Sequence, residues 1–231
     1  MEINKNIFII ILFFPLELFS KQFEYEVSIF GVYCADITIN YTDTIYNEQQ
    51  AIKIEYKTTT RDKFEYFFFI DNKYTAIINK KNYNMLNYNK KTTQPKVINN
   101  IETYVRNDSL FYLNNNQFFN NQYYNIFSLL HSLQMYNINN SVKSLHFLER
   151  EGSIYNMEIE TINSHNIIKY LLSFDLNKSQ SNDQIFKNTD IFSWGIFLPN
   201  AKREINIDPI NKIITSCKFS IGLINVKAKL K

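Results

Sequence analysis

The sequence predicts an all-β chain: a mainly antiparallel, strongly curved sheet or open barrel, with one amphipathic helix near 123–136. Three observations carry this. Strand-period alternation recurs along most of the 231 residues. Only "YYNIFSLLHSLQMY" (123–136) shows helical spacing, with Ile126, Leu129, Leu130 and Leu133 at i, i+3, i+4 and i+7. No internal repeat and no Pro/Gly/Ser linker divides the chain, which implies one β-rich domain over 21–231.

Residues 1–20 read as a secretory signal. Lys5 supplies the positive start, "IFIIILFF" the apolar core, and Ser20 a small residue near the cleavage point. The apolar run is broken by Pro15 and Glu17, short of the roughly 20 residues that a span needs. Cleavage would leave an exported chain with no transmembrane span, in the periplasm or envelope of a Gram-negative-type bacterium.

The first patterned stretch is "FEYEVSIFGVYCADITINY" (23–41), apolar on the odd positions and interrupted by Gly31 and Cys34. Gly31 is expected to bend or bulge a long ribbon so that it follows a curved sheet. "AIKIEYKTTT" (51–60), "FEYFFFI" (64–70) and "YTAII" (74–78) follow as strands, with the second of them buried. "NYNMLNYN" (82–89) and "TYVRNDSLFYL" (103–113) carry weaker strand patterns. Beyond the helix, "EREG" joins two patterned runs as a hairpin corner, "NKSQSNDQ" (177–184) is an exposed loop, and "DPINK" (208–212) is a turn.

Composition narrows the function. With 45% hydrophobic and 16% aromatic residues, the chain fills a sizeable core without cross-links. The formal charge is +3, and loss of Lys5, Glu2 and Glu17 with the leader leaves +4. Lys and Arg are scattered beside Asn rather than gathered on one face, which argues against nucleic-acid binding.

Chemistry-bearing constellations are sparse. His131, His146 and His165 form no metal-binding pair, so no metal and no cofactor is expected. The acid pairs Glu24/Glu26, Glu149/Glu151 and Glu158/Glu160 read as the solvent faces of strands, so no catalytic residue is assigned. Cys34 and Cys217 are the only cysteines in a chain read as exported. They stand on opposite parities. Either a bulge at Gly31 or Gly222 corrects the register and they form a disulfide, or Cys34 is an ordinary small residue beside the bend.

The opening stretch, the helix "YYNIFSLLHSLQ", the hairpin "EGSIYNMEIETI" and the closing "SWGIFLPNAKREINIDPINKIITSCKFSIGLINVKAKL" together resemble domain of unknown function 3108, a bacterial exported family. Gly31, Trp194 on a tryptophan strand, the basic pair Lys202 and Arg203, Gly222 and Leu230 fall at the family-like positions. The chain departs from the pattern at Ala35–Asp36, Gln134 and Glu204–Ile205. The resemblance implies a mostly β exported protein with no assigned activity, similar in outline to curved-sheet envelope proteins that carry lipids or lipoproteins.

The expectation is therefore a non-catalytic module binding a hydrophobic or lipid-like ligand in a curved sheet, with the helix residues Ile126, Leu129, Leu130 and Leu133 at its mouth. The alternative is an envelope structural or protein-interaction scaffold with a solid core and an exposed aromatic patch, such as one around Trp194. A hydrolase ranks last. The partner is accordingly a hydrophobic small molecule or an envelope protein.

Overall fold

The alternating stretch at 23–41 folds as a hairpin rather than as one bent ribbon. β1 (Ser20–Ile29) and β2 (Val32–Tyr46) are antiparallel neighbours joined at Phe30 and Gly31, whose φ angles are 52° and 82°. Two successive positive φ values make a tight turn whose twist matches the flanking strands, and Gly31 adopts its own without a Cβ clash. The bulge lies at Cys34 instead. Pairing steps from Val27↔Ala35 to Ser28↔Tyr33, so Cys34 is the extra residue. An extra residue breaks the alternation, and Cys34 and Ala35 are both buried although adjacent.

The computed structural model describes residues 20–113, 117–135, 144–164, 166–179, 185 and 188–231. Residues 1–19 of the proposed leader, His165, Tyr136 and part of the 177–184 loop lie outside the described residues. β3 (Gln49–Thr60), β4 (Asp71–Asn79), β5 (Met85–Gln94), β6 (Val97–Arg106), β7 (Ser109–Tyr112) and β8 (Phe118–Asn120) continue as a meander. After helix α1 (Ile126–Met135) come β9 (Ser144–Arg150), β10 (Ser153–Ser164) and β11 (Ile167–Leu176). Helix α2 (Ile191–Ile196), β12 (Lys202–Asp208), β13 (Ile213–Ile221) and β14 (Ile224–Leu230) complete the chain.

Among the described residues, all 14 strands belong to one antiparallel sheet, in which β14 closes against β1 and the edges are β8 and β9. Tyr124 narrows that last opening. Its N–H donates to Phe147 C=O at 3.1 Å and its C=O accepts from Glu149 N–H at 2.7 Å. The result is a nearly closed barrel, the all-β architecture that the alternation predicts. Further register shifts at Ile77/Ile78 and Asn206/Ile207 leave Leu86 and Thr215 as extra residues. Such bulges increase local twist and let a long sheet curl.

A ring of this many strands is wider than its own side chains can fill. α1 fills it. Phe127 packs against Tyr56 and Tyr74 with ring centroids 4.6 and 4.8 Å away, and every residue from Phe127 to Gln134 is buried. The helix is therefore a plug rather than an amphipathic cover. Leu129, Leu130 and Leu133 are core residues, Ile126 is half-buried, and the polar residues between them are enclosed as well. Its start is set by Asn125, which accepts from Ser128 N–H at 2.8 Å while Ser128 Oγ accepts from Asn125 N–H at 3.0 Å.

Two sequence readings are corrected here. "FEYFFFI" is not a buried strand. β3 stops at Thr60, a 3₁₀ turn spans Asp62–Phe64, and Tyr66 and Phe67 stand 94% and 77% exposed. A run of consecutive aromatics has no alternation to set one inward face. The loop is pinched at its base, where Thr60 N–H donates to Ile70 C=O and Ile70 N–H to Thr60 Oγ1. The "SWGIF" segment is not a tryptophan strand either: Trp194 lies on α2, capped by Asp190, whose carboxylate accepts from Phe192 and Ser193 N–H at 3.0 Å.

Cys34 and Cys217 are both free, and no disulfide links them. Cys34 lies on β2 and Cys217 on β13, with β1 and β14 between them. Three strand spacings amount to roughly 14 Å at about 4.8 Å each, too far for a bridge. Among the described residues, no helix is long and apolar enough to cross a membrane.

Candidate functional site

Three places gather polar or exposed aromatic groups. The first is deep in the barrel. Lys90 on β5 points inward and pairs with Glu151, from the β9–β10 turn, and with Asp190, the cap of α2. Thr189 Oγ1 donates to Glu151 at 3.0 Å, and Tyr74 Oη donates to Asp190 at 2.7 Å. Burial opposes ionisation of Asp190, yet Lys90 and the N–H of Ser193 hold its carboxyl below the usual range. Next to this cluster, Glu149 accepts from Tyr112 Oη at 2.7 Å and Gly152 N–H at 3.0 Å. Burial pushes Glu149 up to about 7.

Glu149 and Glu151 are therefore not a solvent face, because the hairpin corner places both carboxyls inside the barrel. Lys90, Asp190 and Glu151 are essentially closed to solvent. The cluster joins β5, the β9–β10 turn and α2 as a buried clasp. Buried ions of this kind persist only when paired and hydrogen-bonded.

The second place is a pocket of about 380 Å3 at one mouth of the barrel. Its floor is apolar, from Phe23, Tyr41, Ile52, Tyr83 and Met135, and its rim carries Lys21, Lys80, Lys212 and Asp43. α1 reaches this mouth through His131, Gln134 and Met135, not through the leucine stripe expected there. Gln134 Nε2 donates to Tyr41 Oη at 3.0 Å. His131 lies between Tyr41 and Tyr83, with ring centroids 5.2 and 5.4 Å away. It is 3% exposed, and neither ring nitrogen has a hydrogen-bond partner. Burial pushes its pKa down to about 4, so the ring is neutral. Spacing alone could not single out His131, because its neighbours on the pocket come from six separate segments.

The third place is the opposite end. The β1–β2 turn, the 61–70 loop and the β13–β14 turn meet there: Phe30 N–H donates to Asn225 C=O and Arg61 N–H to Cys34 C=O. Phe30, Tyr33, Tyr66, Phe67 and Leu223 are exposed across these turns. Arg61 braces them, bonded to Asp36 at 2.8 and 3.0 Å and to Glu26 at 2.8 Å.

The family-like positions are dispersed. Gly31 and Gly222 occupy turns at this end with φ of 82° and 54°, whereas Trp194 is half-exposed on α2. Lys202 is exposed at the start of β12. Arg203 is buried, donating to Ala201 C=O at 2.8 Å and Leu198 C=O at 2.6 Å, with its guanidinium 4.3 Å from the Phe174 ring centre. It fastens the segment after α2 rather than facing a ligand. These positions form no common site.

No family model and no curated protein matches the chain. Among solved structures it is similar to a β-barrel-like protein of domain of unknown function DUF1849 from Brucella abortus. The identity is 8% and the TM-score 0.54, covering 91% of this chain and 95% of that one. At that identity the likeness concerns the fold, which is barrel-like in both.

Proposed function

We propose that this chain is a non-catalytic binding module that acts after export in the cell envelope and takes a hydrophobic or lipid-like ligand at the barrel mouth. The observation that carries the reading is the apolar-floored pocket of about 380 Å3 between β1, β2, the β4–β5 turn and α1. That volume falls within the range typical of small-molecule sites. The lumen is filled by α1, so the ligand belongs at the mouth rather than inside the sheet. The closed Lys90 cluster gives no support to hydrolysis. The resemblance to domain of unknown function 3108 belongs to this proposal and agrees with its envelope setting.

Native mass spectrometry of protein purified from the envelope without detergent tests the reading. A co-purifying lipid-sized adduct, lost in a Tyr83→Asp variant, is expected. A bare monomer that also fails to take up an apolar fluorescent probe would overturn it.

The exposed apolar side chains across the three adjacent turns favour a second reading, a protein-interaction scaffold. In that case the double variant Tyr66→Ser, Phe67→Ser releases the protein from the envelope fraction while leaving probe uptake intact. Unchanged retention of the variant counts against the scaffold.

A further inference from the structure

We infer that the mouth pocket selects a single-chain amphiphile with an anionic oxygen headgroup, whose oxygen is hydrogen-bonded by His131 and held by the lysine rim. The inference rests on the binding-module reading above and specifies its ligand.

Charge at the rim sets the sign of the headgroup. Lys21, Lys80 and Lys212 face the pocket with a single carboxylate, Asp43, among them. Lys80 Nζ lies 2.7 Å from Asp43 Oδ2, so that carboxylate is already engaged. Lys212, exposed in the β12–β13 turn, lines the same pocket. With Lys80 and Asp43 compensating each other, Lys212 makes this part of the rim repel an arriving cation and attract an anion.

His131 sets the chemistry of the head. A neutral imidazole carries one N–H donor and one acceptor nitrogen. Buried polar groups in folded proteins are nearly always paired, yet both nitrogens of this ring are unpaired while the ring lines the pocket. The flanking Tyr41 and Tyr83 rings fix its plane. A ligand oxygen entering over the apolar floor supplies the missing acceptor for its N–H. The pocket volume corresponds to roughly a dozen water-sized units at about 30 Å3 each, which suits a medium-length chain and its head.

Titration of the purified protein with decanoate, decyl phosphate, decanol and decyltrimethylammonium, followed by calorimetry, tests this. Both anions are expected to bind at least tenfold more tightly than the alcohol or the cation. The ratio of the two anions tells a carboxylate head from a phosphate head. Lys212→Gln, at an exposed turn, should weaken the anions several-fold and leave decanol unchanged. Decanoate should also shift the imidazole nitrogen resonances of His131, a readout needing no variant. Equal binding of decanol and decanoate, or anion binding that moves neither the Lys212→Gln affinity nor the His131 signals, overturns the headgroup assignment while the binding module stands. If none of the four binds, both fail.

Discussion

Two buried groups oppose each other when the protein titrates. Glu149 holds its proton up to about 7 in the fold, against 4.5 for a free side chain. Its contribution to stability is complete below pH 4.5 and is lost as pH rises through 7. His131 titrates at about 4 in the fold, against 6.5 when free. Its contribution is complete above pH 6.5 and is lost as pH falls through 4. Between pH 4.5 and 6.5 the two slopes have opposite signs, each at most about 1.4 kcal/mol per pH unit. Urea midpoints of the unaltered protein should therefore vary little across that window. Glu149→Gln keeps an acceptor for Tyr112 and removes the falling slope, so its stability should climb with pH. His131→Gln should do the reverse. Two parallel variant profiles would show that neither group titrates as its burial dictates.

At the scale of elements, the plug matters more than its length suggests. Phe127 touches rings on β3, β4 and β5 and also stacks on Phe192 of α2 at 6.0 Å. Phe127→Ala should cost about 3–5 kcal/mol, the range for deleting a large buried aromatic, read as a lowered denaturation midpoint. Tyr66→Ser in the exposed loop should stay within about 0.5 kcal/mol. The contrast shows what the sequence could disclose. Alternation exposed the strands because one face of each meets the core, and the Glu151–Gly152 corner was readable as a hairpin. The helix was found, but its stripe of leucines gave no hint that Ser128, His131 and Gln134 were enclosed too, since burial on the far side depends on distant strands. The Asn107–Asp108 turn splitting β6 from β7 passed as continuous strand because its positive φ values leave no periodic trace. The mouth pocket was illegible for the same reason as the plug: only closure of the sheet brings Lys21, Lys80 and Lys212 together.

For the whole molecule, the decisive pairing is the one between the first and last strands. Sheets built from such distant partners form slowly, because loop closure precedes the reward. The β1–β14 seam has five registered pairs, against twelve between β2 and β3, and no turn connects its two strands. Together with the singly bridged gap between β8 and β9, it is a place where the barrel can open. Cys34 stands on the first strand beyond β1 and Cys217 on the first beyond β14, so the free thiols flank the seam symmetrically. Burial raises both, Cys217 to about 12, which keeps them unreactive while the sheet is shut. The bulge that tucked Cys34 inward thus gives the barrel a pair of matched timers. In dilute alkylating reagent they should label at one common rate, set by the unzipping of the two chain ends. Separate rates would place the breathing of the sheet elsewhere, at its flanks.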